Sequence, residues 1–141
     1  MLISRPALLN RQGQIVDLDG QSLPRIEDIS SDEYYVAIRH RNHIGIMTNQ
    51  PVLLGSNAPI IDFTQDASYN NGARLLPNGL YALYAGDLDG DGAINSADRS
   101  ISWNERNAVG LFSSDANMDG KVDVADRSIP WNNRNKASQI P

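Results

Sequence analysis

Apolar and polar residues alternate along much of the first half of the chain. In EYYVAIRHRNHIGIMT (33–48), Tyr34, Val36 and Ile38 fall on one face and Tyr35, Ala37 and Arg39 on the other, the period-two signature of a half-buried strand. GQIVDLDG (13–20) predicts a short strand ending in a turn, and PVLL (51–54) and IIDFT (60–64) are further strand candidates. NGLYALYAG (78–86) opens on the Asn-Gly turn signal and continues as an alternating strand. Gly and Asn clusters separate these runs at sandwich-like spacing. TQDASYNNGARLLPNG (64–79) reads as a long surface excursion. Residues 1–84 are therefore expected to form a β-sandwich-like (Ig-like) domain.

The pattern changes over residues 85–141. ADRSISWNERN (97–107) aligns with ADRSIPWNNRN (125–135) at an offset of 28 residues, and nine of the eleven positions are identical. Such agreement marks a duplicated unit. Each copy is preceded by an acidic dodecamer, DLDGDGAINSAD (87–98) and DANMDGKVDVAD (115–126). Pro130 sits where a helix running from residue 124 needs a backbone N–H. The second helix is therefore expected to start afresh at Ser128, with Trp131 in its first turn.

Clustered like charges repel, so the dodecamers call for a counter-ion. Calcium takes six to eight hard oxygen ligands at about 2.3–2.6 Å, and a twelve-residue loop supplies them from positions 1, 3, 5, 7, 9 and 12 with Gly at 6. The first loop offers Asp87, Asp89, Asp91, the Ala93 carbonyl, Asn95 and Asp98, with Gly92 sixth. The second offers Asp115, Asn117, Asp119, the Lys121 carbonyl, Asp123 and Asp126, with Gly120 sixth. Ile94 and Val122, at position 8, are expected to bury beside the partner loop. Two calcium ions follow, one per loop; magnesium fits less well because it demands tight octahedral geometry.

Both loops end in Asp where an EF-hand has Glu, and no amphipathic helix precedes either. In these traits residues 87–135 resemble the dockerin family, whose duplicated loop-helix units bind calcium without an entering helix. The Ser-Thr pair that contacts cohesin in cellulosomal dockerins is replaced by Ser96-Ala97 and Val124-Ala125. More widely, IVDLDG, YYVAIRHRNHIGIMT, LYALYAGD and the paired ADRS…WN.RN, in this order, resemble the C-terminal region of large bacterial secreted and surface proteins. That resemblance implies an extracellular or cell-surface location. It also implies an incomplete sandwich whose edge calls for a partner; with the strand patterns and the repeat, the expected fold is mainly β with a small α part.

Composition narrows the alternatives. The 141 residues carry 12 Lys and Arg against 17 Asp and Glu, a net charge of −5, and eight of the acids lie in the two dodecamers. No basic stripe exists to neutralise phosphates, so nucleic acid is not an expected partner. Two divalent ions would bring the charge from −5 to about −1. The absence of Cys removes disulfides and thiolate chemistry. No apolar run approaches the roughly 20 residues that span a bilayer, and MLISRPALLN lacks the features of an intact signal peptide.

Other motifs carry less. His40 and His43, three apart on one strand, would face opposite ways and could share a metal only if the strand bends, so cross-strand hydrogen bonding or exposure is expected. DLDG (17–20) fits a turn, since a calcium register there would place Ile15 and Ile26 at positions 1 and 12. Trp103 and Trp131, equivalent in the two copies, are expected in a core or internal interface. Arg99 and Arg127 are expected to pair with loop carboxylates or cap carbonyls. No nucleophile-base set, GxSxG or phosphate-cradling loop is recognisable, so an enzyme is not expected. The expected function is an extracellular calcium-binding structural or assembly module, self-associating or bound to a protein partner through strand edges. The alternatives are a dockerin-type module docking an enzyme to a scaffold, and a carbohydrate-binding module.

Overall fold

The computed structural model of the chain describes residues 2–10, 12–27, 29–55 and 58–141. Its fold is mainly β with a small α part, built from short antiparallel strands and two helices. Strand β1 (Leu8–Leu9) pairs with β2 (Ile15–Val16), β3 (Asp32–Tyr34) with β6 (Val52–Leu54), β4 (Ala37–His40) with β5 (His43–Met47), and β7 (Arg74–Leu75) with β8 (Tyr81–Ala82). Each pair is a separate two-stranded antiparallel ribbon among the described residues.

The alternation in residues 34–40 appears as even positions half-buried and odd positions exposed. The run does not continue as one strand, however. It turns at Arg41-Asn42, so that Ala37 pairs with Met47, Ile38 with Ile46 and His40 with His43, with an irregularity between Ile38 and His40. The polar RHRNH interrupts the apolar face and supplies the turn. Strand β5 is the centre of the core: Ile44, Ile46 and Met47 are buried, together with Val16, Ala73, Leu88, Ile94, Ala116 and Val122. The core thus crosses from the hairpin into the two acidic loops.

Three other expectations are corrected. Residues 60–64 are not a strand; the chain enters a turn at 63–65, where the Asp62 carboxylate accepts from both the backbone N–H and the hydroxyl of Thr64. Residues 64–79 are not a bare excursion; they contain a 3-10 turn (Tyr69–Asn71) and strand β7. Within residues 80–86, strand pairing is confined to β8 and to one bridge from Ala85 to His43.

Helices α1 (Ser96–Asn104) and α2 (Val124–Asn132) follow the acidic loops. Both start on a capping box: Asn95 and Asp123 accept from Ala97 and Ala125 N–H, while Asp98 and Asp126 accept from the cap residue's own N–H. That nucleus carries α2 through Pro130, contrary to a restart at Ser128. The proline forgoes one hydrogen bond near the end of a short helix and is buried against Gly86. Gly86 has φ +115°, and a Cβ there would lie 2.9 Å from Pro130 Cα, so this position admits only glycine.

Candidate metal centre

Each acidic loop is folded by its own carboxylates accepting backbone N–H groups. In residues 87–98, Asp91 N–H donates to Asp89 Oδ1 (3.2 Å) and Ala93 N–H to Asp91 Oδ1 (2.7 Å), which curls the chain inward. Asp98, fully buried at the start of α1, accepts from Leu88 N–H (2.6 Å) on Oδ1 and from Asn95 N–H (2.8 Å) on Oδ2. The capping box therefore fixes Asn95 and Asp98, the ninth and twelfth loop positions. Oxygens of Asp87, Asp89 and Asp91 converge to within 4.8 Å of one another.

Asp87 is the telling member. It is only 4 % exposed, its Oδ2 accepts from Gly92 N–H (3.2 Å), and its Oδ1 is buried with no hydrogen-bond partner. A buried carboxylate oxygen without a donor is costly unless something positive meets it. Lost solvation raises the Asp87 pKa, and the charges of Asp98, Asp91 and Asp89 push the same way against the Gly92 hydrogen bond. A cation in the loop would satisfy the oxygen and reverse that shift. The donors are all oxygens, which suits a hard cation.

The second loop repeats the arrangement with four carboxylates again, its one asparagine moved from the ninth position to the third. Asp115 is buried and accepts from Asp119 N–H (3.1 Å) and Gly120 N–H (2.9 Å). Lys121 N–H donates to Asp119 Oδ1 (3.0 Å). Asp126 accepts from Asn117 N–H (3.1 Å) and Asp123 N–H (2.9 Å). At the third position an amide stands in for Asp89, and Asn117 Nδ2 donates to Asp119 Oδ2 (3.2 Å).

Ile94 and Val122 are buried at 1 % exposure each, but not by pairing loop to loop. Each loop pairs with the segment that follows the other loop's helix. Ala93 bridges Ala137 and Lys121 bridges Val109. Asn135 N–H donates to Ile94 O (2.9 Å) and Asn107 N–H to Val122 O (2.8 Å). Asn107 and Asn135 both take positive φ, 69° and 66°, a conformation asparagine tolerates and which turns the chain off its helix. The repeated WN.RN thus serves a reciprocal exchange between the copies.

The tryptophans are not core residues. Trp103 is 58 % exposed and Trp131 50 %. They line an open groove of about 320 Å³ between the helices, with Arg99, Val124, Arg127 and Ser128. Arg99 of α1 lies over Trp131 of α2 (4.9 Å) and Arg127 of α2 over Trp103 of α1 (5.1 Å). Arg134 and Arg106 lie over the same rings (4.4 and 5.3 Å) and donate to the carbonyls of Trp131 and Trp103. Arg99 and Arg127 therefore brace one helix against the other instead of pairing with loop acids.

His40 and His43 do not face apart. The turn brings their rings edge to face, 4.6 Å between centroids. Burial, then the charges of His40 and Arg41, depress the His43 pKa from 6.5 to about 4. His40 is also lowered, by burial and then Arg41. Asp17 and Asp19 lie in a turn, with Asp17 paired to Arg5 and Asp19 accepting from Gln21 and Ser22 N–H. Sequence pattern missed Asn42, a fully buried turn residue whose amide reaches the second loop. Its only signal was an Asn in the polar break between two apolar runs. Set against known proteins, the chain matches no family model, no curated protein and no solved structure.

Proposed function

We propose that this chain is an extracellular structural and assembly module of a bacterial surface or secreted protein, held together by calcium rather than acting as a catalyst. One ion occupies each acidic loop, through Asp87, Asp89, Asp91, the Ala93 carbonyl, Asn95 and Asp98 in the first. Asp115, Asn117, Asp119, the Lys121 carbonyl, Asp123 and Asp126 hold the second. The buried, donorless oxygen of Asp87 carries this reading. The repeated register and the reciprocal pairing of the copies extend it to the second loop.

The ions act by binding the folded loops and not the unfolded chain, so metal uptake is folding free energy. The two units are similar to a dockerin pair, with residues 1–84 as the β portion. Among the described residues, four two-stranded ribbons leave strand edges unpaired, and a sandwich-like arrangement is completed by strands of a second copy or of a partner protein. Thermal melting in calcium and in chelator tests the first claim: calcium at a hundredfold excess over its Kd stabilises by about 2.7 kcal/mol per site. Identical melting curves would remove the reading. Sedimentation velocity tests the second, and a strict monomer at all concentrations would count against it.

A further inference from the structure

We infer that Asn42 is a positioning residue that ties both acidic loops to the β4–β5 hairpin, so that filling one loop is felt by the hairpin and by the other loop. The inference rests on the calcium reading above and deepens it.

The geometry is specific. Asn42 is the last residue of the hairpin turn and is fully buried. Its Nδ2 donates to Ser113 O (3.0 Å) and to Asp115 O (2.8 Å), so both amide hydrogens are used. Only an NH2 group can satisfy two carbonyls, which fixes the orientation of the amide. Oδ1 must then be the acceptor, and His43 Nδ1–H donates to it (2.8 Å). The backbone carbonyl of the same residue accepts from Gly86 N–H (2.9 Å), immediately before Asp87.

One residue thus holds the start of both loops. Its main chain fixes the residue before Asp87, and its side chain fixes the main chain of Asp115. Next to it, Ile44 N–H donates to Tyr84 O (2.9 Å) and His43 bridges Ala85, which carries the hairpin register into the first loop. At the other end Ser138 N–H donates to Gly92 O (2.7 Å) while Ser138 Oγ donates to Gly45 O (3.4 Å). The first position of a calcium loop must be placed before the others can converge. Replacing the amide leaves the buried Asp115 carbonyl and the part-buried Ser113 carbonyl short of a donor and loosens the main chain at Asp115. Buried polar networks of this kind are where removal of one partner is most costly.

The two attachments differ in kind, which makes them separable. Asn42→Ala deletes the contacts to Ser113 and Asp115 but keeps the carbonyl that holds Gly86. In the full chain, calcium titration by calorimetry is expected to show the second loop weakened about tenfold, the equivalent of roughly one to two lost hydrogen bonds, and the first loop weakened less. Amide exchange supplies a readout that a general loss of stability does not mimic. Calcium should slow exchange at Ile44 and Gly86 in the wild type, and in Asn42→Ala this slowing should no longer follow occupancy of the second loop.

A variant that fails to fold is covered by a second measurement on an intact Asn42. In Asp89→Asn/Asp91→Asn, with the first loop disabled, filling the second loop should still slow exchange at Ile44. Equal calcium affinities and equal slowing with and without the Asn42 amide would overturn the inference while leaving the calcium reading intact. So would absence of slowing in the loop-disabled chain. No calcium uptake by the wild type would overturn both.

Discussion

The Arg–Trp brace between the helices can be removed without touching a loop. Arg99→Ala/Arg127→Ala deletes the two cross-helix contacts, at 4.9 and 5.1 Å from the Trp131 and Trp103 rings, and leaves Arg106 and Arg134 in place. Exposed cation–π contacts are worth about 0.5–1 kcal/mol each, so the pair contributes about 1–2 kcal/mol. Melting entropy scales at about 2.1 cal/mol/K per residue, so for a chain of 141 residues a loss of this size lowers Tm by about 3–7 °C. Calorimetric melting in saturating calcium is the assay, with Arg99→Lys/Arg127→Lys as a partner variant. Lysine keeps the charge but not the planar stack, and should recover part of the loss. A double-mutant cycle between Arg99 and Trp131 should return a positive coupling energy. A change in Tm below about 1 °C, or a coupling energy of zero, would refute the brace and leave the groove as mere surface.

Two further outcomes follow from the packing around the hairpin and loops. Gly86→Ala should destabilise by at least about 2 kcal/mol, from a positive φ and overpacking against Pro130, as read by urea unfolding; a neutral result would show that α2 can shift away. In chelator, stability should fall as pH drops from 6.5 towards 4, because the unfolded chain takes up a proton at His43 that the folded chain refuses. The His43 contribution is about 3 kcal/mol over that window, with His40 adding in the same direction, and His43→Gln should flatten that part of the profile.

Much of the candidate site was legible because its chemistry is local. Acids at alternate positions, glycine at the sixth and the 28-residue repeat define the loops before any folding is known. The capping boxes at Asn95–Asp98 and Asp123–Asp126 obey the same short-range rules. What pattern could not give was every contact made across the chain. Residues 33–48 look continuous by period, yet a turn at Arg41-Asn42 folds them into a hairpin and reverses the relation between His40 and His43. Trp103 and Trp131, repeated in both copies, point to a core or an internal interface, and they lie at the interface between the two helices without being buried in a core. Instead the guanidinium groups of neighbouring arginines cover their faces while the rings stay half-open to solvent. Pro130 reads as a helix breaker when the missing hydrogen bond is considered alone; its ring is placed by Gly86, 44 residues earlier. Asn42 carries no motif, since its partners Ser113 and Asp115 lie more than 70 positions away.

Calcium uptake by the chelator-stripped chain bears most directly on the whole account. Isothermal titration should register two equivalents of Ca²⁺ per chain, accompanied by ordering of the backbone over residues 87–135. A chain that stays ordered there and takes up no ion at millimolar Ca²⁺ would show that the Asp87 carboxylate is buried for some other reason.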